Sequence, residues 1–148
     1  MARSKVVRRG GKVYSRSGLE RSIMAGLDRD GVPYEYEKAT FRIGLHVTGH
    51  SCDRCGHKGI IQNTRYTPDF RPYPGTKGFY VEAKGRFTGR DRRKALAMKT
   101  DWPAEEVRYV FMRDNKLSKN SKTKYSDWCK DNGFKYHVGN EIPKGWLR

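Results

Sequence analysis

Apolar positions recur along this chain in two periods. Leu19, Ile23 and Leu27 fall every four residues, the spacing of one helix face. They predict an amphipathic helix from Ser17 to about Asp30, stopped by Gly31 and Pro33. Short apolar or alternating runs predict strands near Tyr34 to Glu37, Phe41 to Val47, Gly59 to Tyr66, Gly78 to Lys84, Val107 to Phe111 and Phe134 to Val138. Two more helices are expected, from Arg90 to Lys99 and from Thr123 to Asn132. The interleaving of strands and helices places the chain in the α/β class, with no internal repeat. Tyr109, Phe111, Trp128, Phe134 and Tyr136 lie on apolar faces of these elements and are expected in the core. Cys129 is read as a small buried hydrophobe in the last helix.

Two polar residues interrupt the apolar run Phe79-Tyr80-Val81: Glu82 and Lys84. On a strand, side chains at i and i+2 leave the same face, roughly 6.5 Å apart along the backbone. Asp69, in Thr67-Pro68-Asp69-Phe70, is expected nearby, brought close by a hairpin whose Pro72, Pro74, Gly75 and Gly78 are turn residues. Phosphodiester hydrolysis needs an activated water and neutralisation of charge on the phosphate. A hard cation such as Mg²⁺, or Mn²⁺ in its place, does both through oxygen ligands. Asp69 and Glu82 fit as ligands, and the Lys84 ammonium fits beside them to hold the attacking water and offset developing negative charge. Asp after Pro is also a common turn, and a Glu/Lys pair across one residue is a common solvated strand face. The combination, in a basic chain, favours catalysis over either.

Length and charge bound the partner. The chain has 148 residues, 32 basic against 16 acidic, for a formal net charge of +16. That suits a single nuclease domain over residues 17–148 with one core, preceded by a flexible basic arm over residues 1–16 that carries Arg8, Arg9 and Arg16. Nucleic acid is the expected polyanion. A membrane surface ranks second, because no basic helix has a broad apolar face and no apolar run approaches spanning length. Met1 to Lys12 lacks an apolar h-region, so a signal peptide is not expected and the cytoplasm is. Three cysteines, an odd number in a reducing compartment, argue against a disulfide framework. Arg90, Arg92, Arg93 and Lys94, with Lys99 further along the same helix, follow the Glu82 strand directly. Lys119, Lys122 and Lys124 sit with Lys116 in a Ser/Asn-rich loop before a helix. Backbone phosphate contact is the expectation for both groups.

Residues 46 to 63 read as a small hairpin insert. Cys52-Asp53-Arg54-Cys55-Gly56 forms a zinc-knuckle-like turn, with His46, His50 and His57 close to it. Cys52, Cys55, His50 and His57 supply four N/S donors, the number tetrahedral Zn²⁺ takes. The second pair is not Cys-x-x-Cys, and a reduced, metal-free hairpin tip is the competing reading. Zinc there would be structural, with no part in hydrolysis.

Pro68-Asp69 followed by Glu82-Ala83-Lys84 resembles the PD-(D/E)xK signature of restriction-endonuclease-like nucleases. Seven stretches extend that likeness: Ser17-Gly18-Leu19-Glu20, Tyr34-Glu35-Tyr36-Glu37, Tyr66-Thr67-Pro68-Asp69-Phe70, Val81-Glu82-Ala83-Lys84-Gly85, Asp91-Arg92-Arg93-Lys94, Arg108-Tyr109-Val110-Phe111 and Ile142-Pro143-Lys144-Gly145-Trp146-Leu147. Together they resemble phage endonuclease I of the T-seven type, in order, from about Ser17 to Leu147. That family resolves four-way (Holliday) junctions. The resemblance implies a restriction-endonuclease-like mixed central sheet flanked by helices. It implies a Mg²⁺ site of Glu20, Asp69 and Glu82 with Lys84 as the catalytic lysine. It further implies a domain-swapped homodimer in which Glu20 joins the other three from the partner subunit, acting on branched double-stranded DNA. Alone, Ser17-x-x-Glu20 reads as a capping box; the resemblance turns Glu20 into a ligand. The chain departs from the family in a longer gap between Asp69 and Glu82 and in the segment around 46 to 63. A sequence-specific homing or nicking endonuclease of the same fold would share every catalytic residue. A non-catalytic basic DNA-binding protein would need only the charge.

Overall fold

Ser17 accepts the Glu20 N–H on Oγ at 3.2 Å and so satisfies one orphan donor at the start of α1 (Gly18–Arg29). Its buried stripe is Leu19, Ile23, Met24 and Leu27, the face set by the four-residue spacing. Gly31 ends it in left-handed backbone, φ 65°, which lets the Val32 N–H reach the Leu27 carbonyl at 2.9 Å. The computed structural model describes residues 17–51 and 58–148, and only the backbone of residues 46–51 and 58–60. Among these residues α1 is followed by β1 (Tyr34–Tyr36), β2 (Phe41–Ser51), β3 (Lys58–Tyr66), β4 (Phe70–Pro72), β5 (Phe79–Lys84), α2 (Gly89–Asp101), β6 (Glu106–Phe111), α3 (Tyr125–Asn132), β7 (Tyr136–Val138) and a 3₁₀ turn at Lys144–Trp146.

Five strands form a mixed sheet in the order β1-β4-β5-β6-β7. β1 and β5 each run antiparallel to β4, while β5, β6 and β7 are parallel. The pleat sorts side chains strictly. Phe79, Val81 and Ala83 of β5 join Leu19, Ile23 and Leu27 of α1 in one core. Val107, Tyr109 and Phe111 of β6 join Ala95 and Met98 of α2 and Tyr125 and Cys129 of α3 in a second. Helices therefore cover both faces, and burial of each apolar stripe drives the layering.

β2 and β3 make a separate antiparallel hairpin, with Phe41 opposite Tyr66 and Val47 opposite Ile60. It docks on the end of α2, where the Gly44 N–H donates to Asp101 Oδ2 at 2.8 Å and Trp102 Nε1–H donates to the Arg42 carbonyl at 2.8 Å. Phe41, Ile43 and Tyr66 enter the second core. Of the segment read as an insert, residues 46–51 and 58–63 belong to these two strands. Cys52, Cys55 and His57 lie outside the described residues, and so does the side chain of His50.

The α/β expectation holds, with local differences: β2 runs to Ser51, past the expected end at Val47, and three other elements depart. β4 was not among the expected strands: Phe70-Arg71-Pro72 is too short for a period, and Pro argues against a strand interior. It forms because Tyr34 and Tyr36 meet Pro72 and Phe70 across it. Pro72 thus ends a strand rather than entering the turn. α3 starts at Tyr125, two residues later than expected, because Asp114 accepts the Ser126 N–H at 2.9 Å. β7 starts at Tyr136, since the Phe134 N–H closes α3 on the Cys129 carbonyl at 2.8 Å. Among the described residues no helix is long and apolar enough to cross a membrane.

Candidate active site

Strand parity sends Glu82 and Lys84 the way of Tyr80, away from the α1 core, and the two meet with Lys84 Nζ 3.2 Å from Glu82 Oε1. Glu82 is buried and accepts the Tyr66 hydroxyl on Oε2 at 2.9 Å. Lys84 also donates to Asp91 Oδ1 at 3.2 Å. Asp91 is itself fixed by a reciprocal capping box at the start of α2: Thr88 N–H and Oγ1–H donate to its Oδ2 at 2.9 and 2.8 Å, and the Asp91 N–H donates to Thr88 Oγ1 at 3.2 Å. The catalytic-lysine candidate is thus tied to the helix that follows it.

Asp69 precedes β4, and its Oδ2 accepts the Ala83 N–H at 2.8 Å, which places its carboxylate beside β5 between Glu82 and Lys84 in sequence. On its other side stand Glu20 and Glu37. One ligand oxygen from each of Glu20, Glu37 and Asp69 lies within 4.8 Å of the others. Glu20 is buried and accepts the Tyr36 hydroxyl on Oε2. Glu20 reaches Asp69 within one chain, through α1 packed against β5.

Glu37 is the acidic residue that sequence reasoning missed. Alternation along Tyr34-Glu35-Tyr36-Glu37 puts it on the face of Glu35, away from the buried tyrosines. Its backbone is left-handed, φ 48°, and its N–H donates to the Asp69 carbonyl at 2.8 Å. The turn swings its carboxylate toward Glu20 and Asp69, and no pattern in the sequence signals a single such residue. Asp91 did carry a signal, the Thr88-x-x-Asp91 spacing of a helix cap.

The electrostatics follow from crowding carboxylates under cover. Burial, and then the charge of Glu82, push the Asp69 carboxyl well above its ordinary range against the pull of the Ala83 N–H. Burial also raises Glu82, though Lys84 and Tyr66 act against it. Burial opposes the charge on Lys84, but Glu82 and Asp91 outweigh it and hold the ammonium above its usual range. A pocket of oxygen donors whose charges repel one another is one a hard divalent cation relieves, so the donor set fits Mg²⁺ or Mn²⁺.

The cations expected to meet DNA divide into two kinds. Arg90 and Arg93 of α2 and Lys119, Lys122 and Lys124 before α3 are exposed. Lys94 is half-buried, and Arg92 Nη1–H donates to the Phe87 carbonyl at 2.7 Å. Lys99 serves the fold instead: its ammonium donates to the Asn132 and Gly133 carbonyls at 2.7 and 3.0 Å, at the end of α3. Arg8, Arg9 and Arg16 lie outside the described residues.

An acidic pocket holding a lysine, set in a strongly basic α/β chain, is the arrangement of a nuclease, and comparison with known proteins agrees. The chain belongs to the phage endonuclease I family, whose model matches residues 1–148. It is 31% identical over 134 residues to Endonuclease I of Escherichia phage T7, covering 90% of this chain and 78% of that protein. It is 30% identical over 120 residues to Endodeoxyribonuclease 1 of Enterobacteria phage T3, covering 80% and 68%.

Proposed function

We infer that this nuclease is a divalent-metal-dependent, structure-selective endodeoxyribonuclease that resolves four-way and other branched DNA junctions, working as a homodimer in the host cell cytoplasm. What supports the reading is the acidic group of Glu20, Glu37 and Asp69, whose ligand oxygens lie within 4.8 Å of one another, with Asp69 held on the Ala83 N–H between Glu82 and its ion-pair partner Lys84. Asp69 and Glu82 would hold Mg²⁺, with Glu20 and Glu37 adding acidic oxygen on the α1 side. Bound there, the cation supplies an activated water near neutral pH and positive charge against the phosphate oxygens.

The chain's own residues do the rest. Lys84, kept as an ammonium between Glu82 and Asp91, donates to the attacking water and to a phosphate oxygen, and opposes the charge that develops on it. Exposed Arg90 and Arg93 and the Lys119–Lys124 loop hold backbone phosphates without reading bases, which suits recognition by shape. Two copies of the pocket suit paired cuts in two strands. Exchange of α1 between copies would make the same Glu20 contacts across subunits, in a sheet of the restriction-endonuclease-like kind.

The test compares cleavage of a synthetic four-way junction with cleavage of a linear duplex of the same sequence, in Mg²⁺ and again in EDTA. Cuts placed near the branch point, dependent on Mg²⁺ and at least about tenfold faster than on the linear control, are expected. Equal cleavage of both substrates would remove the junction reading, and cleavage in EDTA would remove the metal.

A further inference from the structure

Three carboxylates of the pocket each have one oxygen taken by a neutral donor. Tyr36 O–H donates to Glu20 Oε2, Tyr66 O–H donates to Glu82 Oε2 at 2.9 Å, and the Ala83 N–H donates to Asp69 Oδ2 at 2.8 Å. The backbone donor comes with the strand. The two phenols are a choice of side chain, because Phe would fill the same space.

Both rings are buried, at 7% exposure each, so neither hydroxyl is there for solubility. A hydroxyl in such a place stays favourable only with a partner, since an unsatisfied one gives up its hydration with nothing in exchange. The partner in both cases is an acidic residue of the pocket. The donor type also matters. A phenol fixes the orientation of the carboxylate without adding a further positive charge to compete with a divalent cation. A free Glu side chain loses rotamer entropy on being fixed. A phenol that holds it in the folded chain removes part of that loss from the binding step. The rings end strands that lead into the other acids, Tyr36 next to Glu37 and Tyr66 three residues before Asp69.

We propose that Tyr36 and Tyr66 are positioning residues of the metal site, each locking one ligand glutamate in the orientation that receives the cation. This rests on the metal-nuclease reading above, and its test separates the two. Mn²⁺ is titrated by calorimetry into the full chain and into Tyr36→Phe, Tyr66→Phe and the double variant, without DNA, with the Tm of each metal-free protein recorded. Tyr34→Phe is the control: its phenol is buried at 1% exposure in the α1 core and faces Asp28 rather than the pocket.

Loss of an outer-shell partner of a metal ligand costs 10–100-fold in affinity. Each Phe variant at Tyr36 or Tyr66 is therefore expected to bind Mn²⁺ about tenfold more weakly or worse, the double variant more weakly still, and Tyr34→Phe within twofold of wild type. The half-saturating Mn²⁺ concentration for cleavage is measured alongside, because it is independent of the fraction of a sample that is folded, and the same ranking is expected. A wild-type chain that takes up no Mn²⁺ overturns the metal reading itself. A wild type that binds, with Tyr36→Phe and Tyr66→Phe variants binding within twofold of it whatever their Tm, overturns the tyrosine inference alone.

Discussion

At the scale of single residues, the role proposed for Asp69 and the stability of the fold oppose each other. Its carboxyl is raised by burial and by Glu82, so the protonated form suits the metal-free fold. A group whose folded value lies above its unfolded value, near 3.9 for Asp, contributes stability that is full below the unfolded value and is lost as pH climbs toward the folded one. Asn copies the protonated shape, and its side-chain oxygen can still accept the Ala83 N–H. Asp69→Asn should therefore raise the stability of the metal-free chain at pH 8 by about 1–3 kcal/mol, and hardly at all at pH 4, in denaturant unfolding followed by circular dichroism. Cleavage should fall at least about a hundredfold, since even outer partners of a metal cost 10–100-fold. A variant less stable than wild type at pH 8 would contradict the electrostatic account. The pairing of Glu82 with Lys84 is legible in the sequence because strand parity is strict. The place of Glu37 is not, because it depends on one left-handed backbone that no neighbour announces.

Elements were legible where a period or a cap was long enough to read. α1 follows from Leu19, Ile23 and Leu27 under the Ser17 cap, and β5 from its apolar run. β4 follows from neither, since its three residues become a strand only when β1 and β5 flank them, and pairing across sequence separation leaves no local mark. The junction of α2 and α3 is of the same kind: Lys99 reads as a DNA contact in sequence, yet its ammonium closes the end of α3. Gly133, the cap of α3, is left-handed at φ 72°, and an added Cβ would come 2.7 Å from Lys99 Nζ. Left-handed backbone costs a residue with a Cβ roughly 1–2 kcal/mol, and displacing Lys99 removes hydrogen bonds worth about 1 kcal/mol more. Gly133→Ala should accordingly destabilise the chain by about 2 kcal/mol, read as a lower urea midpoint at unchanged slope. Because the acidic pocket is built on α1, β4 and β5, the half-saturating Mg²⁺ concentration should not move. A shift in it would mean that α3 and the pocket are coupled.

Across the whole molecule, a chain of formal charge +16 carries a candidate pocket that is itself acidic. On the metal-dependent reading proposed above, a phosphate would be drawn to the surface by the first and kept from the pocket by the second until a cation occupied it, so binding and cleavage should separate in metal-free conditions. The attraction has identifiable carriers. Arg90, Arg93, Lys119, Lys122 and Lys124 make no ion pair with another described residue, while the pairs that do form use Arg29, Lys38, Lys84, Arg108 and Lys135. Each phosphate neutralised on duplex DNA contributes about −0.9 to the slope of log K against log salt, because condensed counterions are released. Titrating a fluorescent junction in EDTA at several salt concentrations should give a steep negative slope. The double variant Lys119→Ala/Lys122→Ala should make it shallower by about 2, with little change in preference between DNA sequences. A slope that stays at the wild-type value would mean that this loop faces away from DNA, and that the α2 side carries the duplex arm past the pocket.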